Sequence, residues 1–284
     1  MPNVLNNGVT IYHEIHGKGF PLILAHGLGA NTGEWRYQTP ELSKGYRLIL
    51  WDQRGHGQSD SPPQRELYGR DTSAEDLLFL MDHLRIPMAY VGGTSLGGGV
   101  AAAFTVAHPE RVAALLVFDS AGAGGIPIPE ESRAMRQKTI ELAETQGMAA
   151  MADYILEANP NLAIRGGQGK TGSEINALRE RFLKGNPVGY ANTVRSMLTE
   201  KPIAVDKLAK IEVSTLVLGG GDDPSPSLTT THARITGSKM VTIPNAGHLS
   251  NMDQPEVFNR EVLMFLGVAD ARRIDAATRG KSQT

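Results

Sequence analysis

The chain has 284 residues, no cysteine and a formal net charge of -2. The lack of cysteine excludes disulfide bonds, thiolate catalysis and cysteine-ligated zinc, and without a basic excess we expect no nucleic-acid partner. Hydrophobic residues make up 40% of the chain and charged residues 20%, an ordinary globular balance. No segment has the length of a membrane span and the N-terminus lacks a signal-peptide pattern, so we expect a cytoplasmic protein with no membrane partner.

Strands alternate with helices along most of the chain. Apolar runs predict strands over residues 9–15, 21–25, 46–51, 88–91, 112–118, 214–218 and 239–243. Ser73, followed three residues later by Asp76, has the pattern of a capping box and predicts a helix over residues 77–84. The last long helix is predicted over residues 255–266. This alternation is typical of the α/β class, with a mostly parallel, doubly wound sheet.

A helical block interrupts the strand pattern. Between residues 129 and 199 there is no convincing strand, and four helices are predicted, over residues 130–145, 148–158, 173–184 and 187–199. The predicted domain organisation is a core of residues 1–125 and 206–268, a helical cap of residues 126–205 and a polar, frayed tail of residues 269–284.

A glycine-rich turn joins a predicted strand to a predicted helix. Its residues Gly93, Thr94, Ser95, Leu96 and Gly97 fit the G-x-S-x-G pattern of a nucleophile elbow. Such a turn is tight enough to require small flanking residues, and it exposes the serine hydroxyl at the carboxyl end of the sheet. The free N–H groups of the following helix point to the same place. Ser95 is therefore a candidate nucleophile.

Two further polar loops follow strands late in the chain. One contains Asp222 and Asp223, and the other contains His248. The carboxyl ends of parallel strands meet at one edge of a sheet, so we expect these side chains to lie near Ser95. The chain order serine, aspartate, histidine is typical of the α/β-hydrolases.

The identity of the acid is open between neighbouring residues. Asp222 and Asp223 occupy equivalent places after a glycine-rich strand end. Pro224 favours Asp223, because it biases the preceding residue toward an extended conformation that reaches the neighbouring loop. Asp119, at the end of an earlier strand, is a third candidate.

Each of these residue types meets a chemical need. A serine hydroxyl attacks a carbonyl only when a base removes its proton, and His248 suits that role near neutral pH. A buried carboxylate then holds the imidazole tautomer and stabilises its positive charge. The backbone N–H groups of Leu28 and Leu96 are the candidate donors to the oxyanion. No metal-ligand spacing is present, so neither a metal nor another cofactor is expected.

Taken together, these motifs resemble the α/β-hydrolase fold superfamily, in its serine-nucleophile branch of esterases, 3-oxoadipate enol-lactonases and cofactor-free haloperoxidases. The matching elements are the His26 loop, the turn at residues 52–59, the Ser95 elbow, the Asp223 loop and the His248 loop. The resemblance implies a sheet of about eight strands with a helical cap inserted after the sixth. It also implies that His26 braces its loop instead of reacting.

The predicted activity is hydrolysis of a small-molecule carboxylic ester or lactone through an acyl-enzyme. The same machinery can cleave a C–C bond or support haloperoxidase-like perhydrolysis. A slow-turnover ligand receptor built on a hydrolase fold is the alternative from another class. The sequence does not indicate the oligomeric state.

Side chains for substrate binding are predicted in and near the cap. They are Trp35, Met135, Met151, Met197 and Leu249. The methionines suggest a soft lid over an apolar pocket, and Trp35 is expected at the pocket rim. Among the cap arginines, Arg133, Arg136 and Arg195 are candidates for pairing with a substrate carboxylate. In the core, Arg54 and Asp60 are predicted to form an ion pair.

Overall fold

The computed structural model describes residues 3–159, 162, 164–165, 168–169, 171–223 and 227–281. Its strands are β1 (Asn3–Asn6), β2 (Val9–His16), β3 (Phe20–Ala25), β4 (Tyr46–Trp51), β5 (Ala89–Thr94), β6 (Val112–Phe118), β7 (Ile164–Arg165), β8 (Gln168–Gly169), β9 (Ser214–Gly220) and β10 (Lys239–Ile243). Eight of them form one sheet in the order β1-β2-β4-β3-β5-β6-β9-β10. β2 pairs antiparallel with β1 and β4, and all other neighbours are parallel. The predicted mostly parallel sheet of about eight strands is confirmed.

The register of the sheet aligns the carboxyl ends of its later strands. Thr94 of β5 lies opposite Phe118 of β6, and Phe118 lies opposite Leu218 of β9. In the next pair of neighbouring strands, Gly220 of β9 lies opposite Ile243 of β10. The loops that leave β5, β6, β9 and β10 therefore emerge at one edge, which is where ligand crevices form in parallel sheets.

Helices cover the sheet on both faces, and a group of them extends beyond the carboxyl edge of the strands. They are α1 (Thr39–Leu42), α2 (Arg70–His83), α3 (Leu96–Ala107), α4 (Glu130–Ala158), α5 (Gly172–Leu183), α6 (Pro187–Thr199), α7 (Val205–Leu208), α8 (Ser227–Arg234), α9 (Ser250–Asp253) and α10 (Pro255–Lys281). The described helices include none with the combined length and apolar character that a bilayer span requires.

The start of α2 corrects two predictions. The helix begins at Arg70, so Ser73 and Asp76 lie inside it and do not form a capping box. Asp76 is fully buried and instead accepts two hydrogen bonds from the Arg54 guanidinium, each 2.6 Å long. Arg54 therefore does not pair with Asp60, whose carboxylate accepts a hydrogen bond from the Thr10 N–H. The local pattern was misleading because a buried arginine is the stronger partner for this carboxylate.

The helical insertion between β6 and β9 contains α4, α5 and α6. Within α4, Gly147 has a left-handed φ of 84° that divides it into two helical segments, as predicted. The capping box at the start of α5 joins Thr171 and Glu174. The short antiparallel ribbon β7–β8 lies in this block, where the sequence predicts no strand. Part of the connection before α5, including residues 166–167 and 170, lies outside the described residues.

The C-terminal segment differs from the predicted frayed tail. Helix α10 continues to Lys281, well past the predicted end of the helix at residue 266. Asp270 accepts hydrogen bonds from the hydroxyls of Tyr46 and Tyr90, and the Arg273 guanidinium stacks 4.0 Å from the centre of the Phe20 ring. These contacts hold polar residues against the core, so sequence polarity alone was a poor guide here. Residues 282–284 lie outside the described chain.

Candidate active site

Ser95 lies at the turn between β5 and α3. Its φ of 52° and ψ of -109° are unusual for a residue with a side chain, and its N–H donates to the Phe118 carbonyl at 2.9 Å. A Cβ on Gly97 would lie 2.3 Å from the Ala25 carbonyl oxygen, and one on Gly93 would lie 2.5 Å from the Gly97 backbone. The glycines are therefore needed for the close passage of strand and helix, as the elbow pattern predicts.

The structure brings Ser95, His248 and Asp223 together. The Ser95 hydroxyl donates to His248 Nε2 at 3.1 Å, and His248 Nδ1–H donates to Asp223 Oδ2 at 2.7 Å. The Asp223 side chain is only 5% exposed, whereas that of His248 is 25% exposed. With Nδ1 bound to the carboxylate, Nε2 is the nitrogen that is left to accept the serine proton.

The two adjacent aspartates have different surroundings. Asp223 is the one whose carboxylate meets His248, whereas Asp222 lies one residue earlier and donates its N–H to the Ala246 carbonyl at 2.9 Å. The chain turns at this point, where the Asp223 N–H donates to the Gly220 carbonyl at 3.4 Å. Pro224, on which the choice of Asp223 partly rested, lies outside the described residues.

Asp119, the third candidate acid, is buried close to His248 and Asp223. Among the described contacts it makes no hydrogen bond to His248. Its carboxylate accepts from the Gly220 N–H at 2.9 Å and from the Ser250 hydroxyl at 2.6 Å. It thereby joins the loop that precedes Asp223 to the loop that follows His248. Burial raises the pKa of Asp119 to about 7, although the nearby His248 and these donors oppose the rise.

Burial and neighbouring charges shift the pKa of His248 in opposite directions. Burial lowers its pKa, but the hydrogen bond and negative charge of Asp223, together with the charge of Asp119, outweigh burial and raise the pKa above its ordinary value. The positive charge of Arg136, in the cap, lowers the pKa of His248. The imidazolium form is therefore favoured by the carboxylates beneath it.

The N–H groups of Leu28 and Leu96 lie in the two loops that flank the serine. Both residues are partly exposed, and neither N–H donates a hydrogen bond to any part of the chain that the structure describes. Leu96 is the first residue of α3, where backbone N–H groups lack intrahelical partners. Leu28 lies in a turn closed by the hydrogen bond from the Ala30 N–H to the Gly27 carbonyl.

A buried glutamate fixes the Leu28 loop, and the sequence gives no signal for it. Glu34 has a fully buried side chain, accepts a hydrogen bond from the Gly27 N–H and pairs with Arg181 of the cap helix α5 at 3.3 Å. Burial raises the pKa of Glu34, and the charge of Arg181 opposes that rise. In the same loop, a Cβ on Gly29 would lie 2.5 Å from the Phe182 ring. The cap therefore packs directly on this loop.

His26 braces the same loop, as the family resemblance implies. Its Nδ1–H donates to the Gly27 carbonyl at 2.7 Å, and its Nε2 accepts from the Gln53 N–H at 3.1 Å. Burial keeps the pKa of His26 well below its usual value, so the ring is neutral. Its contacts hold the loop and do not reach Ser95.

The residues predicted to bind substrate have different environments. Trp35 is wrong as a rim residue, because it is fully buried in the core and its ring packs edge-on against Phe118. Met151 is fully buried within the hydrophobic cluster of the cap, where it packs helices together. Leu249 belongs to the same cluster and follows His248, whereas Met135 and Met197 are half-buried.

Comparison with known proteins gives a consistent result. Residues 21–255 match the family model described as alpha/beta hydrolase fold. The chain is 28% identical to 3-oxoadipate enol-lactonase 2 of Acinetobacter baylyi, covering 85% of this chain and 86% of that protein. It is 29% identical to a 2-hydroxymuconate semialdehyde hydrolase of a Pseudomonas strain, covering 91% and 90%. The crystal structure of the enol-lactonase from Burkholderia xenovorans superposes with a TM-score of 0.81 at 26% identity, covering 94% of this chain and 100% of that one.

Proposed function

Because the chain belongs to the α/β-hydrolase fold family, we propose that it is a cofactor-free serine hydrolase that cleaves a carboxylic ester or lactone. The observation that carries this proposal is the continuous line of hydrogen bonds from the Ser95 hydroxyl through His248 to Asp223, with lengths of 3.1 Å and 2.7 Å. It joins a nucleophile, a base and an orienting carboxylate in the geometry that nucleophilic catalysis needs.

The first half of the reaction forms an acyl-enzyme. Ser95 Oγ attacks the carbonyl carbon while His248 Nε2 takes its proton, and Asp223 stabilises the imidazolium that results. The carbonyl oxygen becomes an oxyanion and accepts hydrogen bonds from the N–H groups of Leu28 and Leu96. His248 then gives the proton to the leaving oxygen as the ester bond breaks.

The second half returns the enzyme to its starting state. Water enters, His248 removes one of its protons, and the hydroxide oxygen attacks the acyl carbon held by Ser95. The same two N–H groups stabilise the second oxyanion. The proton returns to Ser95 Oγ as the carboxylic acid leaves, so no external group is consumed apart from water.

A second candidate activity is hydrolysis of a C–C bond beside a ketone. The similarity to the semialdehyde hydrolase favours it, because that relative is named for a substrate without an ester. The same serine, histidine and aspartate are compatible with a carbon leaving group once it is protonated. Substrate tests must therefore include both bond types.

The experiment is a panel of p-nitrophenyl esters of rising chain length, run beside several lactones and a β-diketone, with Ser95→Ala as the control. We expect the best ester or lactone to turn over at about 1–1000 per second, as enzymes typically do. Ser95→Ala should lower that rate about 10³- to 10⁶-fold while leaving the melting temperature unchanged. A Ser95→Ala protein with near-wild-type activity would exclude Ser95 from the mechanism. Turnover far below one per second on every compound would favour the receptor alternative.

A further inference from the structure

Asp119 is a buried carboxylate that takes no part in the proposed reaction steps. It directly follows β6 and has a positive φ of 45°, a conformation that residues with a side chain rarely adopt. Aspartate is one of the few such residues that tolerates it. Its N–H donates to the Leu218 carbonyl at 2.9 Å, and the residue is almost completely enclosed. This turn of the backbone directs the side chain toward the loops that leave β9 and β10.

The Asp119 carboxylate connects these two loops through both of its oxygens. Oδ1 accepts a hydrogen bond from the Gly220 N–H at 2.9 Å. Oδ2 accepts from the Ser250 hydroxyl at 2.6 Å and from the Ser250 N–H at 3.2 Å. Gly220 lies three positions before Asp223, and Ser250 lies two positions after His248. Hydrogen bonds to an ionised carboxylate are stronger than neutral ones, so this set of contacts, the Asp119 bridge, holds the two loops firmly.

The backbones of the two loops are also in direct contact. The Asp222 N–H donates to the Ala246 carbonyl at 2.9 Å. A Cβ on Gly220 would lie 2.2 Å from the Gly247 carbonyl oxygen, so there is no room for a side chain between the loops. Because backbone packs against backbone here, the spacing of the two loops also sets the spacing of the side chains that they carry.

Asp119 itself does not orient the imidazole. The Nδ1–H of His248 donates to Asp223, and both oxygens of Asp119 accept from other donors. Any effect of Asp119 on the geometry of the imidazole is therefore exerted through the two loops. In the proposed reaction His248 first takes the proton of Ser95 and then gives it to the leaving oxygen. Both transfers require the ring to stay within hydrogen-bond reach, so a small displacement of its loop should lower the rate strongly.

Building on the proposed serine hydrolysis, we propose that Asp119 is a positioning residue that sets the geometry of the Asp223–His248 pair by holding their loops at Gly220 and Ser250. In this role Asp119 touches neither the substrate nor the reacting atoms. Its loss should lower the rate of the chemical step and leave substrate binding unchanged, because only the path of the proton is disturbed. A residue that served the stability of the fold alone would not separate kcat from KM in this way.

The test uses variants that remove the Asp119 bridge in steps. Asp119→Gly removes the whole carboxylate and introduces a residue suited to positive φ. Asp119→Asn retains an oxygen that can accept from the Gly220 N–H and adds an NH2 that can donate to the Ser250 hydroxyl. Ser250→Ala removes one donor and leaves the carboxylate in place. Asp270→Asn is the matched control, since Asp270 accepts hydrogen bonds from two tyrosine hydroxyls at the opposite edge of the sheet.

Steady-state kinetics is measured on the best ester or lactone of the panel. The pH lies on the alkaline plateau of the wild-type profile and above the pKa of Asp119, which is about 7, so that titration does not contribute to the differences. Asp119→Gly should lower kcat about 10²-fold. Asp119→Asn should lower it about tenfold and Ser250→Ala about three- to tenfold, in proportion to the hydrogen bonds lost. KM should stay within about threefold of the wild-type value in each, and Asp270→Asn should leave kcat unchanged.

A double variant tests whether Ser250 acts through Asp119. Ser250→Ala should lower kcat no further when Asp119→Gly is already present, because the acceptor of the serine hydroxyl is gone. Chemical denaturation verifies that each variant is folded, and Asp119→Asn takes the place of Asp119→Gly if the latter does not fold. Losses of kcat that multiply in the double variant, that appear equally in Asp270→Asn, or that are confined to KM would overturn the proposal.

Labelling of Ser95 by a fluorophosphonate separates this proposal from the proposed reaction, because it requires no substrate turnover. The rate of adduct formation, followed by mass spectrometry, should fall about 10²-fold in Asp119→Gly and keep its wild-type value in Asp270→Asn. If this holds while no ester or lactone is cleaved, the positioning role stands and the hydrolysis proposal fails. If Asp119→Gly is labelled as fast as the wild type, the positioning role is rejected whatever the protein hydrolyses. A folded wild-type protein that resists the probe excludes both.

Discussion

The core and the cap contribute to the site in different ways. In the core, Ser95, Asp223 and His248 follow the ends of three strands that the sheet register aligns, so the backbone brings them together. In the cap, Arg181 and Phe182 of α5 contact the loop around Leu28. The candidate reacting groups are thus placed by strand pairing, whereas the shape of the loop beside them depends on how the cap is seated.

The contact between the two regions is correspondingly close. A Cβ on Gly189 of α6 would lie 2.2 Å from the Gly55 carbonyl oxygen, so backbone meets backbone at that point. Phe182 covers Gly29, and Arg181 pairs with Glu34. Both of these last contacts involve the loop around Leu28, so the seating of the cap and the shape of the proposed oxyanion site are coupled.

The largest effect should come from the core carboxylate. Asp223→Asn should lower turnover about 10⁴-fold, because a neutral amide does not stabilise the imidazolium and its NH2 group can hold the imidazole in the wrong tautomer. Asp222→Asn, its matched control one residue away, should lower turnover about tenfold or less. Steady-state kinetics on the best substrate, with circular dichroism to verify folding, measures both. If Asp222→Asn is the inactive variant, the orienting acid has been assigned one residue too late.

The ion pair between cap and core should have the next largest effect. Arg181→Met leaves the buried Glu34 carboxylate without its partner and should cost about 3–5 kcal/mol of unfolding free energy. Arg179→Met, on the same helix, breaks a pair with Asp153 that is largely exposed, and should change the unfolding free energy far less than Arg181→Met does. Chemical denaturation measures both values.

Activity measurements provide a second way to compare Arg181→Met with Arg179→Met. Because Glu34 also holds the Gly27 N–H, the loss of Arg181 should lower kcat in addition to stability, whereas Arg179→Met should leave kcat unchanged. Adding Glu34→Gln to Arg181→Met removes the unpaired charge and should recover part of the stability. Equal destabilisation by the two arginine variants would mean that the buried pair does not hold the cap on the core.

The smallest expected effect is a shift in the pH dependence of activity. Since the pKa of His248 is raised, the acid limb of kcat/KM should have its midpoint above the ordinary histidine value of 6.5. Activity should fall as the pH drops through that midpoint, because the protonated ring cannot accept the serine proton. Asp119→Asn removes the negative charge that Asp119 carries above its own pKa of about 7, so the midpoint should move slightly to lower pH. A midpoint that moves up, or stays in place, would contradict the role given to Asp119.

The predictable part of the molecule is the part governed by local pattern and strand order. The turn around Ser95 and the order of the loops at Asp223 and His248 were enough to place those residues at one edge of the sheet. The divided helix around Gly147 was also predicted. In each case the physical cause lies within a few residues of the feature, or in the general rule that parallel strands end at one edge.

The unpredicted contacts join residues far apart in sequence. Arg181 and Glu34 are 147 positions apart, and Tyr46 and Asp270 are 224 positions apart. No local sequence pattern indicates which of these distant polar side chains will form a hydrogen bond or ion pair with each other. Trp35 was misplaced for a related reason, since its nearness to the Leu28 loop does not reveal that the side chain packs against Phe118 in the core.

The central claim is that His248 activates Ser95 as a nucleophile, and a serine-directed fluorophosphonate probe tests it most directly. Intact-mass and peptide mass spectrometry should show one adduct per chain, located on Ser95 and absent from Ser95→Ala. His248→Ala should react much more slowly than the wild type, because the proton acceptor for the serine hydroxyl is gone. A folded wild-type protein that resists the probe, carries the adduct elsewhere, or reacts equally fast without His248 would contradict the account.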